Sequence, residues 1–223
     1  MARSPMSELT LESFRDAAAG DQPVPAGVAI SAVSASFALG LLGKVLTIAS
    51  RRKGFSGDRS ETEEMAEAAR SQSKRMLQYA EEDVAAFSTY MANVRLPQAT
   101  ARERDDRQRA LNAAIRKAIE TPIGAARTAA SGIELCAGAA EAVHALIAAD
   151  LGTAATLLSS ALRVFLMCAD SNLKLLVSEP SAYRDLMAER PEFEVNAFRK
   201  AQSVLRQVTK AVEAAGSKTS RKP

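Results

Sequence analysis

Residues 28–43 read VAISAVSASFALGLLG and carry no charged side chain. Small residues recur here at Ala29, Ala32, Ser36, Gly40 and Gly43, a spacing that gives a helix one smooth stripe. Other helices can approach such a stripe closely. The stretch is shorter than the roughly 20 apolar residues that a membrane span requires, and it contains three serines. We therefore expect it to form a buried helix at the centre of a soluble helical bundle, with no membrane partner.

The rest of the chain also indicates helix. Aromatic residues make up only 4% of the sequence, tryptophan is absent, and no long run alternates apolar with polar residues as a half-buried strand does. Ser60 with Glu63, Thr121 with Pro122, and Asp150 each resemble the start of a helix. The predicted helices cover about residues 9–18, 28–50, 60–96, 98–120, 121–149 and 150–176, with a short helix and a terminal helix after them. The predicted fold is all-α, an up-and-down bundle in one domain over residues 1–216, with a disordered basic tail at 217–223.

Composition excludes several classes of function. The formal net charge is only +3 and both signs are spread along the chain, which argues against a nucleic-acid binder. No P-loop, dinucleotide-binding glycine fingerprint or nucleophile elbow occurs. The two cysteines, Cys136 and Cys168, lie in apolar stretches, so we expect neither a disulfide nor a thiolate metal site. An N-terminus without an apolar signal core favours the cytoplasm. The large apolar surface of the uncharged helices predicts a homodimer.

One carboxylate falls on an apolar helix face. Helical spacing places Asp83 on the same side as Met76, Tyr79, Phe87 and Tyr90. Burying a carboxylate without a partner costs on the order of several kcal/mol of folding free energy. Asp83 is therefore expected either to pair with a cation or to transfer protons. The pattern alone does not separate these two roles.

Three other polar residues interrupt apolar helices. Arg163 and Lys44 are expected either to extend to solvent or to pair with buried carboxylates such as Asp83 and Asp150, and less often to touch a ligand. His144, the only histidine, is expected to be an ordinary packed side chain on a helix, because no neighbouring ligands complete a metal site.

The order of these parts resembles the family that contains the cyclodeaminase domain of formiminotransferase-cyclodeaminase and the stand-alone bacterial methenyltetrahydrofolate cyclohydrolases. The family's proline and three glycines, followed by Ser-Ala, are similar to residues 25–28 (PAGV) and Ser31-Ala32. Its basic segment and its Asp-x-x-Ala-Phe motif are similar to residues 51–55 (RRKGF) and 83–87 (DVAAF). Its later Ser-Asp, Leu-Arg and Asn positions fall on 149–150, 162–163 and Asn172. The resemblance covers about residues 9–214.

The resemblance implies a set of site residues. Asp83 would handle protons or bind the pterin, and Asp150 would support it. The substrate-binding residues would be Pro25, Ala26, Gly27, Val28, Ser31, Arg52, Lys53, Phe87 and Asn172, with Arg52 and Lys53 holding the glutamate tail. The chain departs from the family pattern at Ala26, Val28, Val143-His144 and Cys168. Side chains at positions 26 and 28 restrict a backbone that glycine leaves free, so we expect a reshaped loop and an altered or closed pocket.

The function that this resemblance implies is hydrolysis of 5,10-methenyltetrahydrofolate to 10-formyltetrahydrofolate, with no metal or other cofactor. Two alternatives stay open. One is ammonia elimination from formiminotetrahydrofolate, which the lack of a fused formiminotransferase domain in this sequence makes the less favoured reaction. The other is an inactive helical dimer that binds folate or a protein partner.

Overall fold

A computed structural model describes residues 5–176 and 183–219 of the chain. A short 3-10 helix at Met6–Glu8 precedes six α-helices. These are α1 (Leu11–Ala19), α2 (Gly27–Arg51), α3 (Arg59–Val94), α4 (Ala101–Ala139), α5 (Ala145–Leu173) and α6 (Arg184–Thr219). The described residues contain no strand, which confirms the all-α prediction. Helix α6 continues past residue 217, where the tail is predicted to begin, and residues 220–223 of that tail lie outside the described part.

The uncharged stretch forms the middle of α2, as the sequence predicts. Helix α2 packs against α3, α4 and α5, and its largest fully buried side chains, Leu39, Leu42 and Leu46, are at most 1% exposed. Small residues allow the close approach. A Cβ atom at Gly43 would lie 3.3 Å from the Ala66 carbonyl oxygen on α3, and one at Gly132 of α4 would lie 2.7 Å from Leu39 Cδ2. Such tight packing leaves no room for added methyl groups without strain.

Helices α2 and α5 are long and apolar enough, by length and composition, to cross a membrane. In their most apolar windows, 61% and 50% of the residues are buried inside the fold. At least half of the residues in each window therefore already pack inside the fold.

The predicted break at Thr121-Pro122 is wrong. Helix α4 runs without interruption through Pro122, which is buried, as is Thr121. Proline lacks an N–H group and therefore leaves the carbonyl four residues earlier without its helical donor. Here that carbonyl, of Ala118, accepts a hydrogen bond at 2.8 Å from the side-chain Nδ2 of Asn172 on α5. Arg190-Pro191, which from sequence separates the predicted short helix from the terminal helix, also makes no break, because α6 is continuous across Pro191.

The boundary between α4 and α5 also differs from the prediction. Helix α4 ends at Ala139 and α5 begins at Ala145, so Asp150 lies inside α5 and is not its N-cap. The N-cap is His144, whose Nδ1 accepts a hydrogen bond from the Leu146 amide at 3.2 Å. His144 is therefore a capping residue in a connection and not a packed residue within a helix.

Two other helix starts use different caps from those predicted. Asp58 caps α3 by accepting from the Glu61 amide at 3.1 Å, so the predicted pair of Ser60 and Glu63 does not start this helix. A complete capping box, formed by Thr100 and Glu103, starts α4.

Neither interrupting cation pairs with a buried carboxylate of the central helices. Arg163 is exposed, forms a 3.2 Å ion pair with Glu194 on α6 and lies over the ring of Phe198. Lys44 is exposed on α2. Both side chains reach solvent, which is the first of the two outcomes predicted for them.

Candidate active site

A cavity of about 320 Å³ lies where the turn before α2 meets the middle of α3, the middle of α4 and the end of α5. Its walls are mostly apolar, with polar groups contributed by α3 and α5. The lining residues are Pro23, Val24, Ala26, Gly27, Val28, Asp83, Phe87, Tyr90, Ile115, Ala118, Cys168, Ser171, Asn172 and Leu175. Apolar walls with a few convergent polar groups are typical of a small-molecule site.

Asp83 is the acidic residue of this cavity. Removal from water raises the pKa of its carboxyl group to about 6, because burial disfavours the charged form. Among the described residues, no arginine or lysine forms an ion pair with it. The structure thus excludes one of the two roles that the sequence left open, a structural ion pair. Asp83 borders a cavity and is not locked into a structural salt bridge, and its pKa lies close to the physiological range in which a carboxyl group can both accept and donate a proton.

The thiol of Cys168 lies near the same acid. Burial raises its pKa, and the negative charge of Asp83 raises it further, so the group stays a neutral thiol at neutral pH. A Cβ atom at Gly27 would lie 3.4 Å from the Cys168 sulfur, which shows how closely the start of α2 approaches α5. The sequence drew attention to Cys168 only as a departure from the family pattern.

The first turn of α2 borders the cavity through Gly27 and Val28. Ala26 is the N-cap and supplies no side-chain acceptor, so the first N–H groups of the helix are not capped by that residue. Such groups, at the positive end of a helix dipole, bind carbonyl or anionic ligand atoms well. The Ala26 backbone is extended, with φ of −130°, a conformation open to any residue. Because the cavity is open beside Ala26 and Val28, the expectation of a closed pocket is wrong, whereas the expected reshaping of the loop stays a prediction.

Asn172 lines the cavity on the α5 side. Its amide group is oriented by the hydrogen bond to Ala118 of α4, so the gap in the α4 ladder at Pro122 fixes a side chain of the candidate site. Ile115 and Ala118 of α4 are lining residues that the sequence did not suggest. A proline inside a predicted helix is a signal that could have pointed to Ala118, four residues before it.

The structure brings together six of the predicted site residues. Asp83, Phe87, Asn172, Ala26, Gly27 and Val28 all line the cavity. Pro25 is buried in the same turn, and the Val24–Pro25 peptide bond is cis. Ser31 is buried one turn farther along α2, beyond the lining residues.

Three predicted site residues lie elsewhere in the subunit. Arg52 and Lys53 follow the C-terminal end of α2, about 37 Å from Gly27 at 1.5 Å per helical residue. Asp150 precedes Cys168 by 18 positions on α5, which places it about 27 Å from the cavity wall. The assignment of these residues to a ligand in this cavity is therefore wrong for a single chain. The predicted helices over residues 28–50 and 150–176 already implied these separations, which the resemblance to the family motifs does not take into account.

Comparisons with known proteins agree with this architecture. A methenyltetrahydrofolate cyclohydrolase of Methylorubrum extorquens is 26% identical over 161 residues, which are 70% of this chain and 77% of that protein. The crystal structure of a formiminotetrahydrofolate cyclodeaminase from Thermotoga maritima superposes with a TM-score of 0.76 at 23% identity, over 94% of this chain and 98% of that one. The sequence profile of the formiminotransferase-cyclodeaminase family matches residues 10–190. The chain therefore belongs to the formiminotransferase-cyclodeaminase family.

Proposed function

We propose that this protein is a cyclohydrolase that converts 5,10-methenyltetrahydrofolate to 10-formyltetrahydrofolate. The observation that carries the proposal is the unpaired carboxyl group of Asp83, whose pKa burial raises to about 6, beside a cavity of about 320 Å³. That volume lies at the lower end of the range of small-molecule sites and suits a fused bicyclic ring. The similarity to a protein named methenyltetrahydrofolate cyclohydrolase supports the same reaction.

In the proposed reaction, water adds to the methenyl carbon that bridges the two nitrogens of the substrate. The Asp83 carboxylate accepts a proton from this water as the new C–O bond forms. Protonated Asp83 then donates the proton to the pterin nitrogen N5 as the bond between N5 and the bridging carbon breaks. The intermediate's remaining hydroxyl proton leaves to solvent as the formyl C=O bond forms on N10. General acid–base catalysis of this kind contributes roughly 100- to 10,000-fold.

Two neighbouring groups support this role. The N–H groups at the start of α2 would hold the polar edge of the pterin, and Asn172, fixed by α4, would position its ring against Asp83. The neutral thiol of Cys168 adds no charge that competes with the carboxylate.

The test is loss of the near-ultraviolet absorbance of methenyltetrahydrofolate, measured against its spontaneous hydrolysis. We expect the wild-type protein to accelerate the loss and Asp83→Asn to reduce that acceleration at least 100-fold. Glu63→Gln, an exposed acid on the same helix, is the matched control and should retain activity. Full activity in the Asp83→Asn variant would refute the proton-transfer role.

The two other candidate functions give different results in the same experiments. A cyclodeaminase would release ammonia from formiminotetrahydrofolate, and the likeness of the fold to a protein of that name is the reason to measure it. An inactive relative would accelerate neither reaction. Calorimetry with tetrahydrofolate would then distinguish a folate-binding module from a chain that binds no folate at all.

We also propose a homodimer formed through the exposed face of α2. Ile30, Phe37 and Ile48 lie on this face and are 39%, 57% and 42% exposed. In an antiparallel arrangement of the two α2 helices, a two-fold axis near residue 39 would pair Ile30 with Ile48 and Phe37 with Leu41 of the second copy. A parallel arrangement would instead bring the two positively charged Lys44 side chains together.

Light scattering of the wild type should give the mass of two chains. Phe37→Glu should give one chain without loss of helicity, and Ser60→Glu, at an exposed position on α3, is the control. A monomeric wild type, or a Phe37→Glu variant that remains dimeric, would refute this interface. If the wild type instead floats with lipid vesicles, the face binds membrane.

We propose a cytoplasmic location, in keeping with free Cys136 and Cys168, and a reaction that needs no metal or other cofactor. Activity should survive dialysis against EDTA. Recovery of lost activity by one added divalent metal would refute this.

A further inference from the structure

A second, open groove adjoins the candidate active site. It has a volume of about 770 Å³ and shares Pro23, Val24 and Phe87 with the cavity at Asp83. From these shared walls it follows α3 to Arg95, which follows the last residue of that helix. The groove and the cavity are therefore adjacent, and a ligand that extends past Phe87 would reach the groove.

One ridge of α3 connects the cavity to the groove, with Asp83 in the cavity and Met91 and Arg95 in the groove. Asp83, Phe87, Met91 and Arg95 follow each other at intervals of four residues, the spacing of a side-chain ridge that is inclined to the helix axis. Twelve residues separate the first from the last, which corresponds to about 18 Å. Along that distance the chemistry changes from a carboxyl group to an aromatic ring, a thioether and a guanidinium group.

The Arg95 end of the ridge is electropositive. Arg107 donates to the Val94 carbonyl oxygen from Nε and Nη2 at 3.3 and 3.2 Å, and Arg104 donates to the Ala99 carbonyl oxygen at 3.0 Å. The bonds from Arg107 occupy the last carbonyl group of α3, which would otherwise add to the negative pole of that helix end, and Arg104 adds a second positive charge in the connection to α4. Within residues 5–176 and 183–219, Arg95 itself has no ion-pair partner.

The opposite bank contributes an acid, Asp16, that could repel an anion. Its carboxylate is paired with Arg15 at 2.7 Å, which offsets the charge. The groove is thus suited to a ligand that is apolar and aromatic in its middle and anionic at its end.

We propose that this groove binds the arylamide and the carboxylate tail of the substrate, an inference that rests on the proposed function. With the reacting ring at Asp83, the aryl group lies over Phe87 and Met91, and a terminal carboxylate pairs with Arg95. A guanidinium group can bind a carboxylate with two parallel hydrogen bonds. The cavity alone, at about 320 Å³, holds the bicyclic ring and leaves the rest of the ligand to the groove.

The test compares two substrates, methenyltetrahydrofolate and an analogue in which the aminobenzoylglutamate is replaced by a plain aniline. We expect Arg95→Ala to raise KM for the tailed substrate about tenfold, as the loss of one charge-assisted pair requires, with kcat unchanged. Neither KM nor kcat for the tailless analogue should change. Arg95→Lys should recover part of the loss, because it keeps the charge and loses the two-bond geometry.

Arg102→Ala is the matched control. Its side chain is 93% exposed at the start of α4, and its removal should leave both substrates unaffected. If Arg95→Ala raises KM equally for both substrates, the inference is overturned. It is also overturned if Arg52→Ala raises KM for the tailed substrate alone and Arg95→Ala does not.

Binding of aminobenzoylglutamate alone, followed by NMR, separates this inference from the proposed function. If the wild type hydrolyses neither substrate but binds this fragment, and Arg95→Ala abolishes the binding, the groove assignment stands and the cyclohydrolase does not. If the wild type is an active hydrolase and Arg95→Ala binds the fragment as well as the wild type does, the groove assignment fails.

Discussion

Replacing Asp83 by asparagine should make the protein more stable at neutral pH while it removes the proposed activity. The carboxyl group is partly withdrawn from water, and no described cation forms an ion pair with it. Keeping it ionised in the folded state therefore has a cost in free energy that the unfolded chain does not bear. A neutral amide of nearly the same shape avoids that cost.

The magnitude follows from the difference between the pKa of Asp83 in the folded protein, about 6, and its ordinary value of 3.8. Each pKa unit corresponds to about 1.4 kcal/mol, so the full shift amounts to about 3 kcal/mol, or about 2 kcal/mol after allowance for the part of the carboxylate that still meets water. Because the folded pKa is the higher one, the folded state binds more protons between the two values. This group's contribution is therefore fully present only below the ordinary value of 3.8, is lost progressively as the pH rises through about 6, and does not change further above pH 7.

The assay is urea-induced unfolding of the wild type and of Asp83→Asn at several pH values from 4 to 8. We expect the free energies of unfolding to converge near pH 4 and to differ by about 2 kcal/mol in favour of the variant at pH 7 and above. Glu63→Gln should follow the wild type at every pH. Parallel curves for wild type and Asp83→Asn across this range would show that Asp83 is not desolvated and would refute the argument.

Three further predictions concern the pH dependence of the proposed activity, the hydrogen bond of Asn172 and the packing at Gly132. The kcat/KM of the wild type should fall tenfold per pH unit below about 6, because the proposed base must be ionised, and a pH-independent rate from 5 to 8 would exclude Asp83 as that base. Asn172→Ala should lower the free energy of unfolding by about 1–3 kcal/mol, because it leaves the Ala118 carbonyl without a donor. The loss should be smaller in a Pro122→Ala background, where residue 122 regains an N–H group that can bond to Ala118. Equal losses in both backgrounds would contradict the hydrogen-bond account. Gly132→Val should lower stability by about 1–3 kcal/mol, seen as a lower melting temperature, because its Cβ would lie 2.7 Å from Leu39 Cδ2; an unchanged melting temperature would show that the core can adjust.

The central helix, the all-α class and the partial burial of Asp83 could be predicted from sequence because each depends on local pattern, whereas the absence of an ion pair and the cavity beside Asp83 required the structure. A run without charge forms a buried helix, and a carboxylate on an apolar face must find a special environment. The assignment of Arg52, Lys53 and Asp150 to the cavity failed because it relied on motifs, which give only the order of residues along the chain. Their distance from the cavity depends on helix length, about 37 Å for α2, and the predicted helix over residues 28–50 already implied it.

The break predicted at Pro122 failed for a reason that connects the fold to the site. Proline ends or kinks a helix when the orphaned carbonyl finds no donor and the ring clashes with the preceding turn. In this chain the donor comes from Asn172, 54 residues away in sequence, which no local rule detects. This hydrogen bond has a second consequence at the cavity. It holds the Asn172 side-chain amide in one orientation in the cavity that Asp83 also lines. An irregularity in a supporting helix thus positions a side chain of the candidate active site, and relatives with a regular α4 at this point would have to orient the corresponding side chain by other means.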